Sequence, residues 1–339
     1  MVGWKRKSAV QIGRFISMKI AILGAGKIAR KMAYTIGHVE GAEPYAVASR
    51  TLEKARTFAS EFGFSKAYGS YDEMLSDPEV ELVYVATPHS HHFLNMVDCL
   101  EHGRPVLCEK AFTVNADQAR KVFALGRDKG LLVAEAIWTR YLPMRKVLDD
   151  VLASGMIGSV TSLTANLGYP LRSVQRLTDP SLAGGALLDV GVYPINFAFM
   201  VFGSGYSKVD STVVKLDTGV DAYESITLTY PDGKMAMIHC SMLASTDRRG
   251  MIFGEKGYIE VQNINNCEGI RVFDTEHRLI ASYEPPRQIN GFEYELEASM
   301  EAVRLGDVEC PQMPHSETVK VLELTDALRA KWGVRYPME

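Results

Sequence analysis

The feature that most constrains the fold is a pair of glycines near the start of the chain. Residues 20–23 form a short apolar run, Gly24 and Gly26 follow it at once, and residues 27–37 have a helical pattern. An apolar run that ends in glycines predicts a buried parallel strand entering a tight turn. We therefore expect the fold to begin as a strand, a turn and a helix.

Strand and helix patterns then alternate over about 120 residues, which predicts a doubly wound parallel sheet. Short apolar runs indicate the strands, and apolar residues at helical spacing indicate the helices. Further strands are expected at 45–49, 82–86, 105–108 and 131–135, and further helices at 51–62, 90–102 and 115–129.

The pattern changes near Trp138, where long alternating stretches replace short apolar runs. This second half predicts an α+β domain with a large, mostly antiparallel open sheet, and Asp232-Gly233 is a hairpin-turn dipeptide within it. Strands are expected at 159–168, 208–217, 223–230, 234–242, 251–262 and 270–283, and helices at 142–154, 189–202, 291–304 and 315–332.

The chain is thus divided into an arm at 1–17, one domain at 18–137 and a second at 138–339. The arm is basic, with no acidic residue before Glu40. It faintly resembles an organelle transit peptide, but we interpret it as a disordered arm, or as an upstream start ahead of Met18.

Composition excludes several classes of protein. Hydrophobic residues make up 47% and charged residues 23% of the chain, as in folded soluble proteins. The formal net charge of −4 gives no general attraction to nucleic acid or to an anionic membrane. No run of about 18 apolar residues predicts a transmembrane helix. Five scattered cysteines without a Cys-x-x-Cys pair are typical of reduced thiols in a cytoplasmic protein.

The first glycine turn fits a dinucleotide-binding site. Gly24, Gly26 and Ala29 match the G-x-G-x-x-G/A fingerprint, with Lys27 and Ile28 between them. The first glycine permits the turn, the second lets the backbone approach a pyrophosphate, and the helix N-terminus offers free N–H groups to it. The alternative is a glycine-rich turn that binds no ligand.

The end of the second strand favours NADP (NADPH) over NAD. An NAD site usually places an acidic residue there, whereas this chain has Ser49, Arg50 and Thr51. A guanidinium can pair with a 2′-phosphate, and hydroxyls can donate to it. The alternative for Arg50 is an ordinary solvated loop residue.

The third strand ends at Thr87 and Pro88, where the nicotinamide ribose would lie, and His89, His91 and His92 follow. Three histidines suggest a metal, but no carboxylate or cysteine accompanies them, and helical spacing puts only the first and last on one face. We therefore expect packing or cofactor contact rather than a metal site.

From Met18 onward the chain resembles the Gfo/Idh/MocA oxidoreductases, and within them the dimeric dihydrodiol dehydrogenase branch. The resemblance is carried by the motifs at 24–29, 86–92 and 106–110 for the family, and by those at 135–140, 184–194 and 327–337 for the branch. It implies a dinucleotide-binding first domain, a second domain for substrate binding and dimerisation, and a homodimer.

The resemblance also implies roles for individual residues. Lys110, in the Glu109-Lys110 motif, would lie near the nicotinamide, while Asp189 and Tyr193 occupy the Asp-x-x-x-(His/Tyr) positions. Four-residue spacing puts the latter two on one helix face. We expect Tyr193 to be the general acid/base, with its pKa lowered by the Lys110 ammonium. The alternatives are a buried structural tyrosine and an orienting role for Asp189.

Trp138 and Arg176 match substrate-contacting residues of that branch, although Trp138 could equally be a packing residue between the domains. The family usually has Glu-Lys-Pro with a cis bond, whereas Ala111 stands here. A cis bond before a residue other than proline costs about 2.5–4 kcal/mol, so we expect a trans bond.

The resemblance implies a dehydrogenase or reductase that acts on CH–OH groups of a sugar, polyol, dicarbonyl or dihydrodiol. Two alternatives share the fold: a non-catalytic NADP-binding sensor, and glycoside cleavage with a retained NAD. Lys110 and Tyr193 argue against the first alternative, and the Ser49-Arg50 pair argues against the second.

Overall fold

The computed structural model describes residues 17–339, so the predicted arm lies outside the described residues except for Ser17. The first part of the chain is a six-stranded sheet in the order β3-β2-β1-β4-β5-β6, with every neighbouring pair parallel. Its elements are β1 (Met18–Leu23), α1 (Lys27–Ile36), β2 (Ala42–Ala48), α2 (Leu52–Phe62), β3 (Lys66–Tyr68), α3 (Tyr71–Leu75), β4 (Leu82–Val85), α4 (His89–Glu101), β5 (Val106–Glu109), α5 (Ala116–Lys129) and β6 (Val133–Ala136).

The predicted doubly wound sheet is confirmed, and its topology locates a ligand crevice. The chain leaves β1 toward β2 and β3 on one side, then returns to place β4 on the other side of β1. The carboxyl ends of β1 and β4 therefore lie at a topological switch point, where open α/β sheets bind their ligands.

The second part of the chain is an eight-stranded sheet in the order β14-β13-β12-β11-β7-β10-β9-β8. Its pairs are antiparallel except for β7 with β10, which are parallel. The predicted mostly antiparallel sheet is thus confirmed. Its elements are α6 (Pro143–Ala153), β7 (Val160–Gly168), α7 (Gln175–Thr178), α8 (Val192–Phe202), β8 (Lys208–Lys215), β9 (Asp221–Thr229), β10 (Met235–Ser241), β11 (Gly250–Gly254), β12 (Gly257–Gln262), β13 (Gly269–Asp274), β14 (Leu279–Tyr283), α9 (Glu293–Leu305) and α10 (His315–Trp332).

Two of the predicted long strands are in fact hairpins. The stretch 251–262 is split into β11 and β12, and the stretch 270–283 into β13 and β14. In each hairpin the alternating pattern runs on through a tight turn. Asp274 closes the second turn by accepting hydrogen bonds from the backbone N–H groups of Glu276 and Arg278.

The helix at 189–202 begins earlier than expected, with a π-helical turn at Leu187–Gly191 that leads into α8. The continuous segment Pro180–Phe202 is long and apolar enough to cross a membrane by length and composition, but 83% of its most apolar window is buried inside the structure. Its helical part is a core helix, in which α8 packs against β7 and β10 of the second sheet. The division at residue 138 stays a prediction, although β6 ends at Ala136.

The turn between β11 and β12 generates a prediction about stability. Gly257 has φ +153°, and a Cβ there would collide with the carbonyl oxygen of Phe273. Gly257→Ala is expected to lower the free energy of unfolding by about 2 kcal/mol or more, measured by urea unfolding. Gly205→Ala is the control, because a Cβ at Gly205 would meet no atom within 4 Å. Equal losses in the two variants would contradict the prediction.

Candidate active site

The glycine turn after β1 has the geometry of a phosphate cradle. Gly24 has φ +105°, and a Cβ on it would lie 2.9 Å from the carbonyl oxygen of Ala86, so only glycine fits. A Cβ on Gly26 would meet no atom within 4 Å. The first bond of α1 runs from Arg30 N to Gly26 O, which leaves the earlier N–H groups without a helical partner. This turn fits an anionic pyrophosphate.

Ser49, Arg50 and Thr51 follow β2 at the same edge of the sheet. The Ser49 hydroxyl donates to the carbonyl oxygen of Thr51 at 3.2 Å, which fixes a tight loop. Arg50 is exposed and forms no salt bridge within residues 17–339. The loop thus places an exposed guanidinium at the same edge of the sheet as the glycine turn.

The histidines after β4 divide between interior and surface as helical spacing predicts. His89 and His92 are buried, and His91 is exposed. The His92 ring lies 2.8 Å from two carbonyl oxygens, those of Thr87 and Ala111, and burial lowers its pKa to about 4. His92 therefore joins the end of β4 to the loop that follows Lys110.

The expected trans bond before Ala111 was wrong. The Lys110–Ala111 peptide bond is cis. The carbonyl oxygen of Ala111 faces His92, so the loop after β5 is held by contacts that the local sequence does not reveal.

Lys110, Asp189 and Arg176 form one ionic cluster between the two sheets. The Lys110 Nζ donates to the backbone oxygen of Asp189 at 2.7 Å and lies 3.2 Å from its Oδ1. An Arg176 nitrogen donates to the same Oδ1 at 3.0 Å. His89 Nε2 is 3.9 Å from that oxygen. The carboxylate of Asp189 in the π-turn is thus surrounded by residues from the end of β5, from α7 and from α4.

Charge compensation fixes the protonation of Asp189. Burial alone would raise the pKa of this carboxyl, but the charges of Lys110 and Arg176 hold its pKa well below the usual range. His89 is instead kept uncharged, because burial, followed by the charge of Arg176, lowers its pKa to about 3. At neutral pH Asp189 is therefore ionised and His89 is neutral.

Tyr193 lies beside this cluster and is 8% exposed. Lys110 Nζ is 5.1 Å from the centroid of its ring. Burial raises the pKa of Tyr193 well above its ordinary value, and the charges of Glu109 and Asp189 raise it further. The expectation that Lys110 lowers this pKa was wrong in its net effect, because burial, together with these two carboxylates, outweighs any lowering by the ammonium.

Trp138 lies near Tyr193 and contacts residues that the sequence did not single out. Its ring stacks on Phe292 with centroids 4.4 Å apart, and its indole N–H donates to Asn265 Oδ1 at 2.8 Å. The amide of Asn265 in turn donates to the Tyr169 hydroxyl at 3.1 Å. Gly291 leaves room for the ring, because a Cβ there would lie 2.8 Å from it.

Three buried glutamates, Glu109, Glu135 and Glu295, lie close to one another near the site. Only Glu109 was identified from the sequence. Glu109 accepts a hydrogen bond from the Tyr84 hydroxyl, and burial raises its pKa. Burial raises the pKa of Glu135 to about 7. Glu295 is fully buried, and among the described residues its carboxyl oxygens have no hydrogen-bond partner. Burial and then the other two glutamates raise its pKa well above the ordinary value.

Neither Glu295 nor Asn265 carried a signal in the sequence. Glu295 lies in a stretch with several acids, Glu293, Glu295 and Glu297, which is typical of an exposed helix face. Asn265 lies in a polar turn between strands. Only the packing of α9 and of this turn against the site reveals them.

Family models and known proteins resemble this chain over most of its length. A model described as an oxidoreductase family with an NAD-binding Rossmann fold matches residues 18–136. A GFO/IDH/MocA C-terminal domain model matches residues 146–260.

Curated relatives include trans-1,2-dihydrobenzene-1,2-diol dehydrogenases. The Mus musculus enzyme is 34% identical over 96% of this chain and 99% of its own length. The Homo sapiens enzyme is 36% identical over 87% of this chain and 90% of its own.

Solved structures with the same fold include a 3-ketoreductase from Actinomadura kijaniata in complex with NADP and TDP-benzene. It has a TM-score of 0.85 and 25% identity, and the match covers 93% of this chain and 97% of that one. An aldose-aldose oxidoreductase from Caulobacter crescentus has a TM-score of 0.83 at 22% identity, covering 94% of this chain and 98% of that one. With its Rossmann sheet and its second sheet, the chain belongs to the Gfo/Idh/MocA family of NAD(P)-binding oxidoreductases.

Proposed function

We propose that this oxidoreductase is an NADP-dependent dehydrogenase or reductase that interconverts a carbinol and a carbonyl. Its substrate would be a sugar, polyol, dicarbonyl or trans-dihydrodiol. The observation that carries the proposal is the position of the Lys110 ammonium, which bonds to Asp189 and lies 5.1 Å from the Tyr193 ring centroid. A proton donor and a fixed cation are thereby brought to one place beside a dinucleotide fold.

We assign the cofactor contacts to residues that end or follow β1, β2, β4 and β5. Gly24, Gly26, Lys27 and Ile28 would hold the pyrophosphate, and Ser49 with Arg50 the 2′-phosphate. On the nicotinamide side we assign Thr87, Pro88, His92, Glu109 and Lys110. When bound, the nicotinamide supplies the hydride chemistry. The similar 3-ketoreductase was solved in complex with NADP, which supports NADP as the cofactor.

Tyr193 would move the proton. Because its pKa is raised, it is protonated at neutral pH and ready to donate to a carbonyl oxygen as a general acid. In the oxidative direction the phenol oxygen of Tyr193 must first lose its own proton, so that it can accept the proton of the carbinol. Lys110 and Arg176, both bonded to Asp189, would orient and polarise the substrate oxygen. Trp138 would line one side of the substrate pocket.

The relatives named trans-1,2-dihydrobenzene-1,2-diol dehydrogenase support a diol or its carbonyl counterpart as substrate. We also infer a homodimer through the outer face of the eight-stranded sheet. On adjacent strands that face exposes Tyr223, Met235 and Met237, which are 39%, 38% and 36% exposed. Five free cysteines, four of them buried, support a reducing cytoplasm.

Removing the Tyr193 hydroxyl tests the acid/base assignment. Tyr193→Phe is expected to lower kcat by about 10²–10⁴-fold, the usual contribution of general acid–base catalysis, while NADPH still binds. Turnover is followed by NADPH absorbance with dicarbonyls, pentoses and trans-dihydrodiols, and binding by fluorescence titration. Tyr206→Phe is the control. Near-normal turnover in Tyr193→Phe would remove the assignment, and a wild type that binds NADPH but turns over nothing would favour the sensor.

Replacing Arg50 tests the cofactor. Arg50→Ala is expected to weaken NADPH binding by about 10- to 100-fold, since a hydrogen bond to a charged group contributes about 1.5–3 kcal/mol. The affinity for NADH, measured in the same calorimeter, should stay unchanged because it lacks the 2′-phosphate. Arg56→Ala, on the exposed side of α2, is the control. Equal losses for both cofactors would contradict NADP selectivity.

The raised pKa of Tyr193 gives the two directions different pH profiles. Oxidation needs the phenolate, whose fraction rises about tenfold per pH unit below the pKa, so log kcat/KM should climb with a slope of about +1 from about pH 7 to 9.5. Reduction needs the protonated form and should be flat over the same window. A plateau in the oxidative profile below about pH 8 would contradict a raised pKa.

Other titrating groups must be considered in reading that profile. Glu135, with a pKa of about 7, titrates at its lower end. The titratable and charged groups around Tyr193 are Glu109 and Lys110 at the end of β5, Asp189 in the π-turn, Arg176 and His89 beside it, and Glu295 on α9. Tyr193→Phe in the same buffers separates their contribution, because only the slope that belongs to Tyr193 should disappear.

A further inference from the structure

The segment at residues 329–339 contacts both sides of the ionic cluster without touching it. On one side it reaches the loop after Lys110. The guanidinium of Arg329 donates to the carbonyl oxygen of Val114 at 2.8 Å, four residues beyond the lysine. Arg329 is 3% exposed, so this bond is shielded from water.

The same guanidinium is fixed by two carboxylates. Glu339 accepts from both terminal nitrogens of Arg329, each at 2.8 Å, and Asp326 accepts from one of them at 2.8 Å. Asp326 also accepts from the backbone N–H of Ala116 at the start of α5. A bidentate pair of this kind fixes both position and orientation. Arg329 is therefore a rigid anchor for the loop that runs from Lys110 to α5.

On the other side the segment reaches the turn before the π-helix. The Tyr336 hydroxyl donates to the carbonyl oxygen of Gly184 at 2.7 Å and is 3% exposed. Gly184 lies five residues before Asp189. The next residue, Gly185, donates to Leu177 O at 2.9 Å, so this turn also holds the chain that carries Arg176.

The two anchors touch each other. The Arg329 guanidinium carbon lies 4.7 Å from the centroid of the Tyr336 ring. The loop after Lys110 and the turn before Asp189 are thus connected through one buried cation and one buried ring. Two other connections between these segments are the Lys110–Asp189 contact itself and helix α4, whose His92 and His89 contact the carbonyl oxygens of Ala111 and Ala183.

We propose that Arg329 and Tyr336 are positioning residues that set the geometry of Lys110 against Asp189 and Tyr193. The proposal rests on the proposed function, since it concerns the same acid/base group. A displacement of about 1 Å at a reacting group can cost about 10²-fold in rate. Small movements of the Gly184 turn or of the Val114 loop therefore change turnover before they change the fold.

The test compares two buried tyrosines that make the same kind of bond. Tyr336→Phe removes the bond to Gly184 O. Tyr230→Phe is the matched control, because the Tyr230 hydroxyl donates to the carbonyl oxygen of Gly203 at 2.9 Å and the side chain is 5% exposed. Arg329→Lys provides a second test of the other anchor. For each full-length variant, kcat, KM, NADPH affinity, Tm and the oxidative pH profile are measured.

Tyr336→Phe is expected to lower kcat by about tenfold, with KM and NADPH affinity within about twofold of wild type. Its oxidative pH profile should keep a slope of about +1 and lie lower at every pH, because the group that titrates is unchanged and only its placement is altered. Tyr230→Phe should lose a similar amount of Tm and keep its kcat and its pH profile. Arg329→Lys should follow Tyr336→Phe.

Two results overturn the inference. If Tyr336→Phe and Tyr230→Phe have the same kcat, or if the fall in kcat disappears when turnover is expressed per NADPH-binding site, the segment only stabilises the fold. The proposed function fails separately. A wild type without turnover overturns both statements, whereas an active wild type that loses activity in Tyr193→Phe but not in Tyr336→Phe overturns this inference alone.

Discussion

The structure depends on the compensation of one buried charge, the carboxylate of Asp189. An isolated ion is costly to bury, and breaking a buried pair leaves the partner uncompensated. Asp189 is 5% exposed and is met by Lys110 from the parallel sheet and by Arg176 from the loop beside its own helix. Placing the core helix brings Asp189 to Lys110, so the packing of this helix and the assembly of the polar centre occur together.

The sequence predicted most of the framework because the signals for it are local. The glycine turn after β1, the strand–helix alternation and the Asp-x-x-x-Tyr spacing each depend on residues close together in the chain. The short elements β3 and α3 were missed, because three and five residues are too few to show a period. The two merged hairpins were missed because strand alternation passes unbroken through a tight turn. Glu295 and Asn265 could not be found, since their importance comes only from what packs against them.

The state of Tyr193 shows why residue types alone do not determine electrostatics. A lysine next to a tyrosine suggests a lowered pKa of the tyrosine. In the folded chain the same ammonium bonds to Asp189, and the tyrosine also faces the buried Glu109. Burial is then the largest influence on the pKa of Tyr193 and raises it. Whether a neighbouring charge acts on a group depends on what else that charge is bonded to, which only the three-dimensional arrangement reveals.

The π-helical turn at Leu187–Gly191 has a consequence for how this chain can change over evolution. A π-turn holds one more residue than an α-turn, and such turns often lie at functional sites. Deleting Val190 or Gly191 would shorten the spacing between Asp189 and Tyr193 from four residues to three and change the angle between their side chains. The placement of Tyr193 relative to Lys110 would then change, although Lys110, Asp189 and Tyr193 were all kept. Substitutions within the turn leave its register intact, so we expect descendants of this sequence to vary in the composition of this turn and to keep its length.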